Sequence, residues 1–161
     1  MNTSKRVEAV WLRRPRETKR RAYGGVLVAA DGRVLLRSPS NHYGGYVWTL
    51  AKGGAKHGES PQQAALREVN EETGWAAEVT GELEGWFVGD TSDVKVFLMR
   101  GLRDRGRFDR ETQEIRWVTV DEALELVAMS TTSVGRARDL AIFRAVGEHL
   151  AGAGLTAAQP N

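Results

Sequence analysis

The spacing of hydrophobic and polar positions changes period several times along the chain, and each change predicts an element. Ala22–Ala30 is a β-rich run that meets Asp31-Gly32, a strong turn signal, and is followed by Arg33–Arg37, so the stretch reads as a hairpin. Val47–Leu50 reads as a short strand between a polar loop with aromatics (38–46) and a glycine-rich loop (52–60). At Ser60-Pro61 the period lengthens. Serine suits a helix cap, proline suits the first helical position, and Gln63 completes a capping box. Ala65, Leu66 and Val69 give this helix an apolar stripe, and Gly74 is placed to end it. Glu78–Val88 and Asp93–Arg100 read as strands joined at Gly89-Asp90, a charged loop runs from Arg103 to Glu111, and Ile115–Val120 reads as the last strand. Asp121 is expected to cap a short helix to about Ala128, and a final helix covers roughly Val134–Leu150 after a Thr/Ser linker (130–133).

Strands interspersed with one central helix and followed by C-terminal helices predict a mixed α/β domain. With 161 residues and no internal repeat, one domain over 20–150 is expected, preceded by an arm (1–19) and followed by a tail (151–161) that frays. The chain has no cysteine, which excludes a disulfide scaffold, a thiolate nucleophile and a thiolate metal site, and fits a reducing compartment. No apolar run approaches the roughly 20 residues that span a bilayer, so no membrane partner is expected and a cytoplasmic enzyme is the default. The formal charge of +2 hides an asymmetry. Residues 1–21 carry eight basic side chains against Glu8 and Glu17, for +6, and the other 140 residues therefore sum to −4. The basic arm reads as a solvated leader with a first strand around Val7–Leu12, or as a weak electrostatic contact to RNA.

The central helix carries the candidate chemistry. Glu68, Glu71 and Glu72 lie three and four residues apart, on one side of a helix. Like charges at that spacing repel, Arg67 offsets only Glu71, and a divalent cation would remove the remaining cost. Carboxylate oxygens suit Mg2+ or Mn2+. Crowded glutamates also occur on plain solvated faces, but a glycine-rich loop stands just upstream. Gly53, Gly54 and Gly58 let the backbone turn tightly and bring Glu59 to the same side, while Lys52 and Lys56 add the positive charge a pyrophosphate needs.

The segment GGAKHGESPQQAALREVNEETGW (Gly53–Trp75) resembles the signature of the Nudix hydrolases, with Gly53, Glu59, Arg67, Glu68, Val69, Glu71, Glu72, Gly74 and Trp75 meeting its fixed positions. The resemblance covers about residues 20–150. It implies an α/β/α sandwich with a mixed sheet and cleavage of a nucleoside diphosphate linked to another moiety. It further implies that Glu68, Glu71 and Glu72 hold the metal and activate water. By the same resemblance Arg67 and Glu59 pair to fix the loop, the carbonyl near Lys52 is a further ligand, and Glu111 or Glu114 supplies a later acid. WTLAKG (Trp48–Gly53) is similar to the WTLPKG of relatives acting on diadenosine polyphosphates or inositol pyrophosphates, with Ala51 in place of proline. Lys56 stands where many members have an acid. Such a departure makes the pocket more positive and favours a longer phosphate chain.

For the organic half of a nucleotide or polyphosphate substrate, Tyr43 and Tyr46 are candidates for base stacking, as are Trp86 and Phe87. Trp48 and Trp117 read as packing residues. Arg37, Lys95 and Arg100 are candidate phosphate contacts, although strand arginines usually face solvent. His42 and His57 flank the loop as candidate acid groups but read first as incidental polar residues. Thr131, Thr132, Arg136 and Arg138 precede or open the last helix, whose N-terminus is able to receive phosphate, and read first as residues that cap and solvate it. The expected reaction is hydrolysis of a nucleoside polyphosphate such as a diadenosine polyphosphate. Alternatives are a nucleoside diphosphate sugar, ADP-ribose, a nucleoside triphosphate, or an RNA 5′ end, by a monomer or homodimer.

Overall fold

A computed structural model describes residues 9–154. The strands are β1 (Trp11–Leu12), β2 (Arg20–Leu27), β3 (Val34–Pro39), β4 (Ala51–Gly53), β5 (Trp75–Glu82), β6 (Trp86–Val88), β7 (Ser92–Asp104) and β8 (Thr112–Val118). The helices are α1 (Pro61–Thr73), α2 (Val120–Val127) and α3 (Ser133–Gly152). A mixed sheet runs β1-β6-β7-β2-β4, with β5 also on β7, and β3 pairs with β8 in a second, two-stranded sheet. Among the described residues, β2 and β7 alone pair in parallel. One core lies on the α1 side and includes Leu27, Ala65, Val69, Phe97 and Met99. The other lies under α2 and α3 and includes Val26, Val96, Val127, Ile142 and Phe143. The fold is therefore an α/β/α sandwich with a mixed sheet, as expected.

α1 follows its local signals closely. Ser60 accepts from the Gln63 amide, the Gln63 side chain returns to the Ser60 amide, and Gly74 ends the helix at φ 78°. Its apolar stripe sits on β2, where Gly25 is required because a side chain there would overlap Met99 and Val69.

Elsewhere tertiary pairing overrides the local pattern. The hairpin about Asp31-Gly32 shrinks to one bridge, Val28 with Val34, after which the two strands join different sheets. Val47–Leu50 is not a strand beyond the Thr49–Arg37 bridge, and the ladder with β2 begins at Ala51. The Glu78–Val88 run is two strands, broken where Gly85 takes φ 77° beneath the Trp11 indole. β7 extends past Arg100 to Asp104 because β5 pairs along its far half. Thr119, not Asp121, caps α2, through the Glu122 amide. In the 38–46 loop, Ser40–Gly45 forms a 3-10 segment in which Asn41 and His42 take positive φ.

The basic leader is partly built into the fold. Lys5, Arg6, Val7 and Glu8, like residues 155–161 of the expected fraying tail, lie outside the described residues. Trp11 and Leu12 do pair with β6. Arg16 donates from its main chain to Asp93 Oδ2 at 2.7 Å and from its guanidinium to both Asp93 oxygens and the Gly89 carbonyl. Burial raises the fully buried Asp93, but these hydrogen bonds outweigh it and hold the carboxyl below its usual range.

Candidate functional site

Helical spacing puts Glu68 and Glu72 on the side of α1 that faces β4. Glu72 Oε2 accepts the Lys52 main-chain amide at 3.0 Å, and its Oε1 lies 3.4 Å from Arg37 Nη1. Glu68 lies against Gly53, where any Cβ would overlap its carboxylate. At Gly53 it is this close approach, rather than the dihedral angles, that a side chain would disturb, by displacing the Glu68 carboxylate. Burial raises Glu72 to about 8 against the pull of Arg37, and Glu68 adds to the rise. Burial also raises Glu68, with Arg67 opposing and Glu71 and Glu111 adding.

Arg67 ties the loop to the helix. It donates to Glu59 at 2.8 and 2.9 Å, to Glu68 at 2.9 Å, to Glu71 at 3.3 Å and to the Gly54 carbonyl at 3.0 Å. The Arg67 hydrogen bond, followed by the Lys56 amide, lowers Glu59 to about 2. Glu71 is the most exposed of the three helix acids. Its carbonyl accepts the Asp109 amide and so anchors the 105–111 loop to α1.

Beside Glu72 opens a cleft of about 590 Å³, lined by Arg37, Tyr43, Tyr46, Lys52, Glu111 and Arg138 among others. Burial, and then Arg138, lower the Lys52 ammonium to about 8. Tyr46 is fixed: its hydroxyl meets Arg138 Nη2 at 3.2 Å and packs where Gly135 has no side chain, and Lys52 and Arg138 lie over its ring at 5.9 and 5.4 Å. Tyr43 is 84% exposed at the rim. Arg37 is buried, not solvent-facing, and it also bonds Thr112 Oγ1 and the Glu111 carbonyl.

Sequence reasoning missed part of this wall. Arg138 does not solvate α3: it is 3% exposed, bonds Asp139 and Tyr46, and lines the cleft. The fully buried Asp139 accepts from Thr49 Oγ1 at 2.7 Å. Asp90, Thr91, Ser92 and Arg110 also belong to the lining. The available signal was an adjacent Arg-Asp pair in a helix whose flanking positions bury Ile142 and Phe143.

Other candidates lie elsewhere. Glu114 is exposed on β8 and paired with Arg116 at 3.3 Å, while Glu111 reaches the cleft. Lys56 and His57 sit in the exposed loop before α1, and His42 in the 3-10 segment. Trp86 stands apart from the cleft, edge-on to Tyr23 at 5.9 Å. Phe87 is core, Trp48 packs under Arg116, and Trp117 is edge-on to Trp75. Arg100 pairs with Glu78, and Lys95 is taken up by the Leu83 and Gly85 carbonyls. Thr131 is tied to the Gly45 carbonyl, and Arg136 to that of Ser130.

Among the described residues no three carboxylate or histidine side chains form a ready-made metal cage. The donor set still fits a hard divalent cation in kind. It is all oxygen, burial and mutual repulsion raise Glu68 and Glu72, and Mg2+ needs only one or two carboxylates beside its waters. Residues able to hold such an ion are Glu68, Glu71 and Glu72, with the carbonyl near Lys52 and Glu111 at the margin.

The NUDIX domain model matches residues 18–136. An RNA pyrophosphohydrolase of Caulobacter vibrioides is 41% identical over 127 residues, covering 65% of this chain and 74% of the relative. A mutator protein of Mycobacterium tuberculosis is 38% identical over 104 residues, covering 60% of this chain but only 40% of that relative's length. Among solved structures, a C. elegans Ap4A hydrolase in a binary complex superposes with a TM-score of 0.64 at 24% identity, covering 81% of this chain and 98% of that one.

Proposed function

This chain belongs to the Nudix family, and on that premise we propose that it is a divalent-metal-dependent hydrolase of a phosphoanhydride bond in a nucleoside polyphosphate, with diadenosine polyphosphates as the first substrates. The observation that carries the reading is the pair Glu68 and Glu72 on α1, pressed against the Lys52-Gly53 strand, with Glu72 lining a cleft walled by cations and aromatic rings.

Glu68, Glu71 and Glu72 are the residues that would hold Mg2+ or Mn2+, with Glu111 beside them. When bound, the ion supplies charge neutralisation of the phosphate oxygens and a more acidic water. Lys52 and Arg110 face the cleft as phosphate contacts, and Arg37 acts mainly through Glu72. Glu72 has the Lys52 amide on one oxygen and Arg37 on the other, so it is fixed in place. Glu68 carries its Arg67 bond on Oε1, which leaves Oε2 to accept a proton from the attacking water. Arg67, held by Glu59, is a positioning residue for Glu68 and Glu71. No covalent nucleophile is required. Tyr46 and Tyr43 offer one fixed and one exposed ring to a base.

A second reading, hydrolysis at an RNA 5′ end, is favoured by the 41% identity to the Caulobacter enzyme. The test is a substrate panel with Mg2+ or Mn2+ in which products are separated by chromatography. The panel holds diadenosine tetraphosphate, nucleoside triphosphates, a nucleoside diphosphate sugar, ADP-ribose and 5′-triphosphorylated RNA. Fastest turnover of the dinucleotide supports the first reading and fastest turnover of RNA the second. No cleavage of any anhydride sinks both.

A further inference from the structure

Trp86, Tyr23 and Arg21 form a surface cluster that the cleft does not use. The Tyr23 and Trp86 rings meet edge to face at 5.9 Å, and the Arg21 guanidinium lies 5.9 Å from the Trp86 ring. Tyr23 and Trp86 are half-buried and Arg21 is exposed, so the cluster meets solvent.

Sheet register places this cluster beside the acids. Tyr23 is directly opposite Gly53 in the antiparallel β2–β4 pair, and side chains so opposed share a face with Cβ positions about 5 Å apart. The Cβ direction of Gly53 points at Glu68. Tyr23 therefore emerges next to Glu68, while Glu72, one turn further along α1, lines the cleft that holds Tyr43 and Tyr46. Aromatic rings stand at both ends of the acid row.

We propose that the Tyr23–Trp86–Arg21 cluster is a second base-stacking station, and that the site takes a two-headed substrate, a dinucleoside polyphosphate. One base lies in the cleft, the other on the cluster, and the phosphate chain crosses Glu68 and Glu72. This rests on the reading of the acid row as a phosphoanhydride hydrolase. The cluster suits one base rather than a strand of nucleic acid: its single Tyr23–Trp86 ring pair offers one platform, and the Lys95 ammonium alongside is already bonded to the Leu83 and Gly85 carbonyls. Aromatic faces and an arginine match the π-face of a base without sequence readout.

The experiment compares kcat/KM for diadenosine tetraphosphate and for ATP in the wild type, Trp86→Leu, Tyr23→Leu and Trp86→Phe. Stacking strengths of this kind predict a fall of roughly tenfold in the dinucleotide-to-ATP ratio for either leucine variant, with most of the ratio restored by Trp86→Phe. An unchanged ratio in both leucine variants overturns the proposal. So does a selective loss on 5′-triphosphorylated RNA, which would assign the cluster to a nucleic acid. Equilibrium binding of a methylene-bridged diadenosine tetraphosphate, with ATP as reference, tests the station without turnover. Weaker dinucleotide binding by Trp86→Leu supports it even if hydrolysis fails, and equal binding overturns it even if hydrolysis succeeds.

Discussion

Replacing Glu72 by glutamine separates what the fold wants from what the chemistry wants. The carboxyl is 4% exposed, and burial raises it from 4.5 to about 8. The folded chain therefore keeps a proton that the unfolded chain releases between those values. Stability falls as pH rises through that window and stays low above it. At about 1.4 kcal/mol per pH unit the ceiling of that loss is near ~5 kcal/mol. Glutamine removes the titration but leaves Arg37 without its ion pair. Arg37 keeps Thr112 Oγ1 and the Glu111 carbonyl, so a net gain of about 1–3 kcal/mol is expected for Glu72→Gln at pH 8.5, and little or none at pH 5. The assay is urea unfolding in excess chelator at both pH values, with hydrolysis measured separately. The variant should be the more stable protein at high pH and hydrolytically crippled. If the two stabilities run parallel from pH 5 to 8.5, Glu72 does not hold its proton as the geometry requires.

Two further substitutions probe other joints. Gly53→Ala places a methyl group on the Glu68 carboxylate; hydrolysis should fall at least about 100-fold while the melting temperature changes little, because a small misplacement at a reacting centre costs on that order. Arg16→Ala removes the guanidinium but keeps the main-chain amide on the buried Asp93, and should cost about 1–3 kcal/mol in chemical unfolding, largely recovered by adding Asp93→Asn.

What the sequence disclosed divides along the range of the interactions. α1 was legible to the residue because Ser60, Pro61, Gln63 and Gly74 act within one turn of themselves. The acids were legible because their spacing is helical, and the loop before them because Glu59 and Arg67 are eight residues apart. Strand partners were not. Arg33–Arg37 resembles the second arm of a hairpin, yet β3 finds β8 about 80 residues later. Arg138 looked like a solvated residue at the start of α3, because its burial depends on Tyr46 from the 38–46 loop and the turn at Gly89. Arg37 misled in the same way, since only the α1 side chain of Glu72, the Thr112 hydroxyl and the Glu111 carbonyl explain a buried strand arginine. The cleft is assembled from long-range meetings of this kind, which is why the bond to be cut was easier to read than the molecule that carries it.

The most direct test of the acid row is hydrolysis of diadenosine tetraphosphate followed through a titration with Mg2+ or Mn2+, in the wild type and in Glu68→Gln. Activity that rises with metal, vanishes in excess chelator, returns on re-addition and is nearly absent from Glu68→Gln is the predicted result. Full activity in excess chelator, or an unaltered metal titration in Glu68→Gln, would contradict the account.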